Sequence, residues 1–443
     1  MKRYLILVLL TIPLFIGLFK NSEKIIKKLD NKNLHFLIFD KFSKKINFDF
    51  KLIKNEEIRD KNRSLNYKIF TNKLLRYRFY LGNNKENVFL ISKEGNIFYI
   101  SKKNLLTRTN FELKRIKTNI SEVIGYDYIL NYRSIIKGIL IDQDEIFVSY
   151  LANNNGCFFN SIINAKINLS KINFTNFFEI RECRKIFNYS VGGNIEKFKN
   201  NKIILTTGDF QIPENIDENE FIQDNNQPKK DNLSDPQNQS SYFGKILSID
   251  RSNKNTEIIS IGHRNPQGLF YDFENDIVFS TDHGPKGGDE INVHEKPQKK
   301  IVKNFGWPKV SYGVRYEEEV NFVDEDCNNK VLTKTVPLCK SHTKYGFDEP
   351  IKYFTPSIGI TQILKSNNKS HVHELLVASM GYDKDEDDMT LHLLKFNKFF
   401  KEIEHSKFYI GERIRDIVHL NENYFLISLE SSPSPSLGLV KLD

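Results

Sequence analysis

The sequence NVFLISKEGNIFYI occupies residues 87–100 and indicates the fold class. It contains two short apolar runs, rich in β-branched and aromatic residues, and the polar residues Lys93 and Glu94 stand between them with Gly95. Such runs suit pleated strands, and a glycine between them is typical of a tight turn. The segment therefore predicts a β-hairpin.

Similar short apolar runs recur along the chain, and no long stretch of helical periodicity lies between them. They occupy residues 138–150, 202–207, 246–249, 277–281, 375–378 and 424–429. Many short strands favour a β-sandwich, a barrel or a propeller. About 370 residues follow residue 75, which is too many for one sandwich but divides into six blades of roughly 62 residues. We predict an all-β fold, a six-bladed β-propeller of four-stranded blades, over residues 75–443.

The composition agrees with this fold and indicates no polyanionic partner. Of the 443 residues, 39% are hydrophobic and 12% aromatic, which is enough to bury a large core. The 65 Lys and Arg residues exceed the 56 Asp and Glu residues by nine, and this excess is spread over the whole chain. Abundant Lys, Asn and Ile indicate a general compositional bias, so nucleic acid is not implied.

The first residues have the pattern of an export signal. Lys2 and Arg3 precede an apolar run over residues 4–19, and Lys20 ends it. The run is shorter than the roughly 20 residues of a transmembrane helix, and no small-residue cleavage site follows it. We predict a signal peptide or signal anchor at residues 1–20, and hence a periplasmic protein or one anchored facing the periplasm. The alternative is a buried N-terminal strand. Residues 21–74 are predicted to form a polar lead-in or stalk.

The four cysteines agree with an exported protein. Cys157 and Cys183 are close in sequence, as are Cys327 and Cys339, and no C-x-x-C metal-binding spacing occurs. We expect two local disulfides, although this pairing is one of three possibilities. Four buried thiols are the alternative if the protein is cytoplasmic.

A polar segment interrupts the strands over residues 209–241. It is rich in Asn, Gln, Asp and Pro and has few apolar residues. The composition predicts a long surface loop, which is either functional or a solvated insertion.

The densest group of motifs follows this loop. It consists of GHRNPQGL at residues 262–269, TDHGPKGGDEIN at residues 281–292 and NFGWP at residues 304–308. Polar residues among Gly and Pro at strand ends are typical of functional loops. The alternative is that these residues only form turns that close the blades.

Together these motifs resemble the soluble quinoprotein glucose dehydrogenase family, also called the glucose/sorbosone dehydrogenase family of six-bladed propellers. Further similar motifs occur in the same order, at residues 192–195 and 207–209, 243–247, 354–357 and 411–417. The resemblance covers the chain from about residue 75 to its C-terminus. It implies a sugar (aldose) dehydrogenase that passes hydride to pyrroloquinoline quinone (PQQ), so the expected partner is a sugar or another carbohydrate.

The resemblance also implies roles for individual residues. Arg264 and Asn265 would contact the quinone, while Arg413 and Arg415 would pair with its carboxylates. The backbone carbonyls of Gly284 and Pro285 would bind Ca²⁺, which prefers oxygen ligands. Without the resemblance, the arginines near the C-terminus would be interpreted as surface residues paired with Glu412 or Asp416.

One element of the family's machinery is missing from the sequence. Ser190 stands where the resemblance predicts the catalytic histidine that accepts the sugar's proton, and Asn194 stands where it predicts an arginine. No other histidine lies between His35 and His263. A lysine expected after residues 375–378 is also not evident, although Lys384 follows nearby.

Two interpretations therefore remain open. In the first, a divergent dehydrogenase uses another base, such as Asp209 or Asp289 with a raised pKa. In the second, a non-catalytic propeller binds a sugar or an envelope partner.

Overall fold

The computed structural model describes residues 48–72, 78–132, 134–185, 190–210, 232–285, 287–299, 301–313, 339–366, 373–381, 388–430 and 436–443. The signal or anchor predicted at residues 1–20 lies outside these ranges, as does the lead-in as far as residue 47. Within them the chain forms six β-sheets, which are the blades of a propeller. The predicted all-β, six-bladed fold is confirmed.

The first three blades each begin with an inner strand. Blade 1 contains β3 (Phe79–Asn83), β4 (Asn87–Ser92), β5 (Ile97–Ser101) and β7 (Lys114–Thr118), with β11 (Lys171–Ile172) at its edge. Blade 2 contains β8 (Ile136–Asp142), β9 (Glu145–Asn154), β10 (Cys157–Lys166) and β12 (Thr175–Glu179). Blade 3 contains β13 (Gly192–Phe198), β14 (Lys202–Thr207), β15 (Lys245–Asp250) and β16 (Thr256–Ile261), with β20 (Lys303–Asn304) at its edge.

The other three blades continue this arrangement. Blade 4 contains β17 (Pro266–Asp272), β18 (Ile277–Asp282), β19 (Asp289–Glu295) and β21 (Lys352–Phe354). Blade 5 contains β22 (Ile360–Lys365), β23 (His373–Ser379), β24 (Thr390–Phe396) and β25 (Glu402–Tyr409). Blade 6 contains β26 (Ile414–Asn421), β27 (Tyr424–Leu429), β28 (Ser436–Leu442), β2 (Arg63–Thr71), β1 (Asp49–Asp60) and β6 (Asn110–Glu112).

Helices are few and short in the described part of the chain. The α-helices are α1 (Lys102–Thr107), α2 (Ile120–Ile124) and α3 (Tyr126–Asn131). Short 3-10 helices cover Asn232–Gln237, Pro297–Lys299 and Thr343–Tyr345. In this part of the chain, no helix combines the length and the hydrophobicity that a membrane span requires.

Blade 6 joins the two ends of the described chain. Strand β28 pairs with β2 from Leu65 opposite Leu442 to Thr71 opposite Ser436. The predicted boundary at residue 75 is therefore corrected, because residues 49–71 belong to the propeller and not to a stalk. Strand β1 has a largely exposed face, and its polar composition concealed it in the sequence.

The six inner strands surround a central axis. Each inner strand contacts the inner strands of the two neighbouring blades, so that β3, β8, β13, β17, β22 and β26 close a ring. Each blade starts with its inner strand and continues with antiparallel strands, so all six inner strands run in the same direction. Their N-terminal ends and the C-terminal ends of the second strands therefore lie at one end of the molecule, which we call the mouth.

Inner strands β8, β13, β17, β22 and β26 each contain a register shift close to the mouth. Such bulges redirect a side chain from the regular alternation of a strand. At or beside the shift, each strand carries one partly exposed residue between two buried neighbours, and β3 does so at the corresponding position. These six residues, which we call the axial ring, are Tyr80, Lys137, Asn194, Gln267, Gln362 and Arg415.

Hydrogen bonds between blades hold the ring together. The hydroxyls of Ser149 and Thr281 each donate to a backbone carbonyl of the next blade's inner strand. Thr206 does the same, with its Oγ1 2.9 Å from the Pro266 carbonyl. Asp416 accepts the backbone N–H of Leu81 at 2.7 Å and so links blade 6 to blade 1. The blades are thus fixed in register around the axis.

One predicted disulfide is confirmed, between Cys157 and Cys183. Cys339 is also disulfide-bonded, and its predicted partner, Cys327, lies outside the described residues. The described ends of the predicted surface loop are held in place, because Phe210 is buried and the amide of Gln237 donates to the Trp307 carbonyl at 2.7 Å.

Candidate functional site

Asp282, the last residue of β18, fixes the loop that precedes β17. Its carboxylate accepts the backbone N–H groups of Arg264 at 3.0 Å and Asn265 at 2.6 Å. The Nδ1 atom of His263 lies 3.2 Å from the same carboxylate, and its Nε2 atom lies 2.7 Å from Ser260 Oγ. His263 is completely buried, so this imidazole supports the loop and does not face a ligand.

The Arg264 side chain lies against the turn at residues 283–285. Its Nη1 atom donates to the carbonyls of His283 at 3.0 Å and Gly284 at 2.8 Å. The guanidinium carbon lies 5.5 Å from the ring centroid of Trp307, whose Nε1 donates to Asp209 at 2.8 Å. Arg264, Gly284 and Trp307 border a small cleft. The positive charge of Arg264 is therefore held at the mouth, between blades 3 and 4.

The two carbonyls expected to bind calcium already have hydrogen-bond donors. The Gly284 carbonyl accepts from Arg264, and the Pro285 carbonyl lies 3.4 Å from the hydroxyl of Ser357. A guanidinium this close would repel a divalent cation at the same oxygen. No group of three or more His, Cys, Asp or Glu residues that could hold a metal occurs in the described ranges. The carbonyl pair, as arranged here, does not fit Ca²⁺, and we derive no step through that ion.

Asp289 supports the scaffold and does not have the raised pKa that the sequence suggested. Its carboxylate accepts the backbone N–H groups of Gly284 at 3.0 Å, Ile358 at 3.1 Å and Ile360 at 3.0 Å. Burial acts to raise the pKa of Asp289, but His283 and these N–H groups outweigh burial and hold the pKa below its usual value. These contacts therefore do not support Asp289 as the replacement for the missing base.

Ser190 lies beside the predicted quinone contacts. Its side chain is buried, and its Oγ lies 3.5 Å from the Arg264 carbonyl. Close by, the backbone N–H of Gly192 donates to the side chain of Asn265 at 3.2 Å. The structure thus brings Ser190, Arg264 and Asn265 together on blades 3 and 4.

Arg413 and Arg415 lie at the mouth on blade 6, where they share the carboxylate of Glu430. Arg415 Nε donates to Glu430 at 2.6 Å, and Arg413 Nε lies 3.8 Å from it. Arg78 and Lys93 approach the same carboxylate, each at 3.5 Å. The four basic side chains around one carboxylate leave an excess of positive charge.

The electrostatics of this cluster follow from its burial. The Glu430 side chain is 1% exposed. Burial alone would raise the pKa of Glu430, but Arg415, Lys93 and Arg78 outweigh burial and lower the pKa to about 2. Glu430 therefore stays ionised, and it is the carboxylate that Arg413 and Arg415 share. Sequence reasoning missed Glu430, although it directly follows β27 just as Lys93 directly follows β4.

The predicted site residues within the described ranges lie at the mouth, in two groups. One group, on blades 3 and 4, comprises Ser190, Arg264, Asn265, Gly284 and Pro285. The other comprises Arg413 and Arg415, together with Glu430 and the basic residues around it. Lys384 lies outside the described residues.

Known proteins show similarity to this chain in both sequence and fold. Residues 137–436 match the family model described as "Glucose / Sorbosone dehydrogenase". A curated relative, the aldose sugar dehydrogenase YliI of Escherichia coli (strain K12), is 27% identical over 186 residues, which cover 42% of this chain and 44% of the relative.

Two solved structures show the same fold. The soluble aldose sugar dehydrogenase of Escherichia coli, in its apo form, has a TM-score of 0.59 at 17% identity, covering 85% of this chain and 99% of its own. The holo form of the pyranose dehydrogenase PQQ domain of Coprinopsis cinerea has a TM-score of 0.53 at 10% identity, covering 88% of this chain and 98% of its own.

Proposed function

Since this chain belongs to the glucose/sorbosone dehydrogenase family, we propose that it binds PQQ at the mouth and oxidises an aldose sugar. The observation that carries the proposal is the basic cluster around Glu430, which includes Arg413 and Arg415. The related PQQ domain and sugar dehydrogenases have the same fold.

The charge of this cluster fits a planar anion with several carboxylates. Four basic groups share one carboxylate, so a bound anion would neutralise positive charge that the protein leaves uncompensated. Guanidinium groups bind carboxylates through two parallel hydrogen bonds, which suits Arg413 and Arg415 to this role. Arg264 and Asn265 would contact the ring of the quinone from blades 3 and 4.

In the proposed reaction, the cofactor and the protein have separate roles. When bound, the quinone accepts the hydride that leaves the carbon of the sugar. The protein's residues hold the sugar and the cofactor together, and one of them takes the proton from the hydroxyl.

Fluorescence of Trp307, the sole tryptophan, provides the test. Its ring lies beside Arg264 at the mouth, so binding of the near-ultraviolet-absorbing quinone should quench its emission in a saturable manner. We expect Arg413→Ala to weaken quinone binding about tenfold or more, because a charge-assisted hydrogen bond contributes roughly 1.5–3 kcal/mol. The exposed Arg108 supplies the matched control, since Arg108→Ala should leave the affinity unchanged. Absence of saturable quenching at high micromolar quinone would contradict the proposal.

Ser190 gives a reason to keep a second candidate function, because it stands where the family resemblance predicts the catalytic histidine, and a hydroxyl group does not act as a general base at neutral pH as an imidazole does. In this alternative, the propeller binds a sugar or an envelope partner and catalyses nothing. Quinone binding without dye-linked oxidation of any aldose would favour the alternative.

We further propose that the protein is exported, either to the periplasm or anchored facing it. The disulfide between Cys157 and Cys183 supports this location, because disulfides persist in oxidising compartments. Thiol alkylation of the protein taken directly from cells would test it. Rapid modification of both cysteines without a reducing agent would contradict export.

A further inference from the structure

The proposed oxidation requires a group that accepts the hydroxyl proton, and the inference drawn here rests on that proposed function. The described residues that sequence reasoning put forward do not supply it. Ser190 is a serine, Asp289 is held by three backbone N–H groups, and Asp209 accepts the indole N–H of Trp307.

Lys137 lies in the axial ring, where it borders the segment that carries Ser190. It is the second residue of β8 and stands at the register shift between Ile136 and Gly138. A side chain added at Gly193 would come within 2.4 Å of the Lys137 Cβ atom. The aliphatic part of Lys137 therefore packs against the backbone that follows Ser190.

Lys137 also adjoins the basic cluster. The backbone N–H of Ile136 donates to the carbonyl of Lys93 at 3.4 Å, which brings the start of β8 next to that cluster. Lys93 and Arg415 are the charged groups that act on the Lys137 amine. The next charged groups beyond Lys93 and Arg415 are Glu430, whose negative charge these two residues already neutralise, and Arg78.

The contacts of the Lys137 amine differ from those of two buried lysines, Lys245 and Lys365. Lys245 donates to the carbonyls of Asp235, Pro236 and Phe243, at 2.6, 3.1 and 2.6 Å. Lys365 pairs with Asp272 at 2.9 Å. By contrast, Lys137 forms no hydrogen bond or ion pair with any residue in the described ranges. A structural lysine would have such partners, so this amine is available to a ligand on the axis.

The surroundings favour the neutral form of this amine. Burial among the inner strands, together with the positive charges of Lys93 and Arg415, lowers the pKa of Lys137 to about 7. A substantial fraction of the side chain is then unprotonated near neutral pH, as a general base must be.

We propose that Lys137 is the general base of this protein and takes the place of the missing imidazole. In the step it assists, the O–H bond of the sugar hydroxyl breaks and an N–H bond forms at Lys137 Nζ, which becomes an ammonium group. The carbon of the sugar loses its hydride to the quinone oxidant and becomes a carbonyl. The ammonium group then returns its proton to water.

Lys137→Arg tests the proposal, because arginine keeps the positive charge but stays protonated. We expect quinone affinity, measured by Trp307 quenching, to stay within threefold, while kcat for dye-linked aldose oxidation falls at least 100-fold. Wild-type activity should fall below about pH 7, because Lys137 becomes protonated there. The residual activity of Lys137→Arg should not show this fall. Lys117→Arg, at an exposed lysine of β7, should leave both affinity and kcat unchanged.

A second measurement needs neither cofactor nor sugar. Reductive methylation with ¹³C-formaldehyde gives each lysine an NMR resonance. Burial lowers the pKa of both Lys137 and Lys245 to about 7, so the Lys137 resonance is the one that titrates near pH 7 in the wild type and is absent from Lys137→Arg. A Lys137 resonance that titrates near pH 10 would overturn the proposal. Retention of kcat by Lys137→Arg would also overturn the proposal. So would a loss of kcat that occurs in His283→Asn but not in Lys137→Arg. Failure of the proposed function is recognised separately, since the wild type would then not bind quinone.

Discussion

Glu430 controls the charge of the mouth through a single carboxylate. It holds Arg415 by a hydrogen bond of 2.6 Å and is shared with three further basic side chains. Without it, the four basic side chains at the inner ends of blades 1 and 6 would lack the carboxylate that they share. The carboxylate therefore allows this cluster of basic side chains to exist in the folded protein without a ligand.

Replacing Glu430 should reduce stability in a pH-dependent manner. The pKa of Glu430 lies well below the value of an unfolded glutamate, so its contribution is complete above about pH 4.5 and is lost as the pH falls towards 2. We expect Glu430→Gln to lower the free energy of unfolding by about 3 kcal/mol at pH 7, and by less than half as much at pH 3. Urea unfolding at both pH values measures this difference. The exposed Glu112 provides the control, and an equal deficit at both pH values would contradict the prediction.

Sequence reasoning identified residues of the site where a local motif carries them. Arg264 and Arg413 are examples, because each stands in a recognisable run of loop residues at a strand end. Lys137 and Glu430 could not be found in this way. Their importance depends on neighbours from other blades, and only the closed ring of inner strands brings those neighbours together.

At the scale of secondary structure, the strands divide by how they are buried. Strands β4 and β14 are almost wholly buried, so their sequences are continuous apolar runs that predict strands directly. Strand β1 is exposed on one face and carries many charged residues. Its sequence does not differ clearly from that of a polar stalk, and its pairing with β2 and β6 shows that it is a strand.

The disulfide between Cys157 and Cys183 restrains the segment that leads to Ser190. Cys157 begins β10, and the neighbouring Phe158 forms an isolated bridge with Arg184. The bond closes a loop of moderate length, so it restricts the unfolded chain as well as the folded one.

We expect the double variant Cys157→Ser/Cys183→Ser to lose about 3 kcal/mol of stability, as the loop length suggests. Denaturant unfolding compares it with the wild type under oxidising conditions. Adding a reducing agent to the wild type should lower stability at least as much, because it also opens the bond at Cys339. The prediction is wrong if the double variant unfolds at the same denaturant concentration as the wild type.

At the scale of the whole molecule, the propeller is closed by β2. Leu65, Tyr67 and Ile69 point inward from this strand and pack with apolar residues of blades 5 and 6, including Leu393 and Phe425. Apart from Phe70, which is buried, the residues on the other face of the same strand are only partly buried. Closure of the ring therefore depends on the hydrophobic face of β2, near the start of the propeller, and on the pairing of β2 with β28 at its end.

If this closure holds all six blades together, damage to β2 should destabilise the molecule as one unit. We expect Leu65→Ala to lower the free energy of unfolding by about 2–5 kcal/mol, because it removes buried methyl groups and leaves a cavity. Trp307 follows β20, at the edge of blade 3, so its fluorescence reports on unfolding away from blade 6. In Leu65→Ala, the unfolding transitions followed by circular dichroism and by Trp307 fluorescence should therefore both shift by the same amount. Lys68→Ala, on the outward face of β2, should change stability by less than about 0.5 kcal/mol. A fluorescence transition that stays in place while circular dichroism shifts would show that blade 6 opens without the rest of the ring.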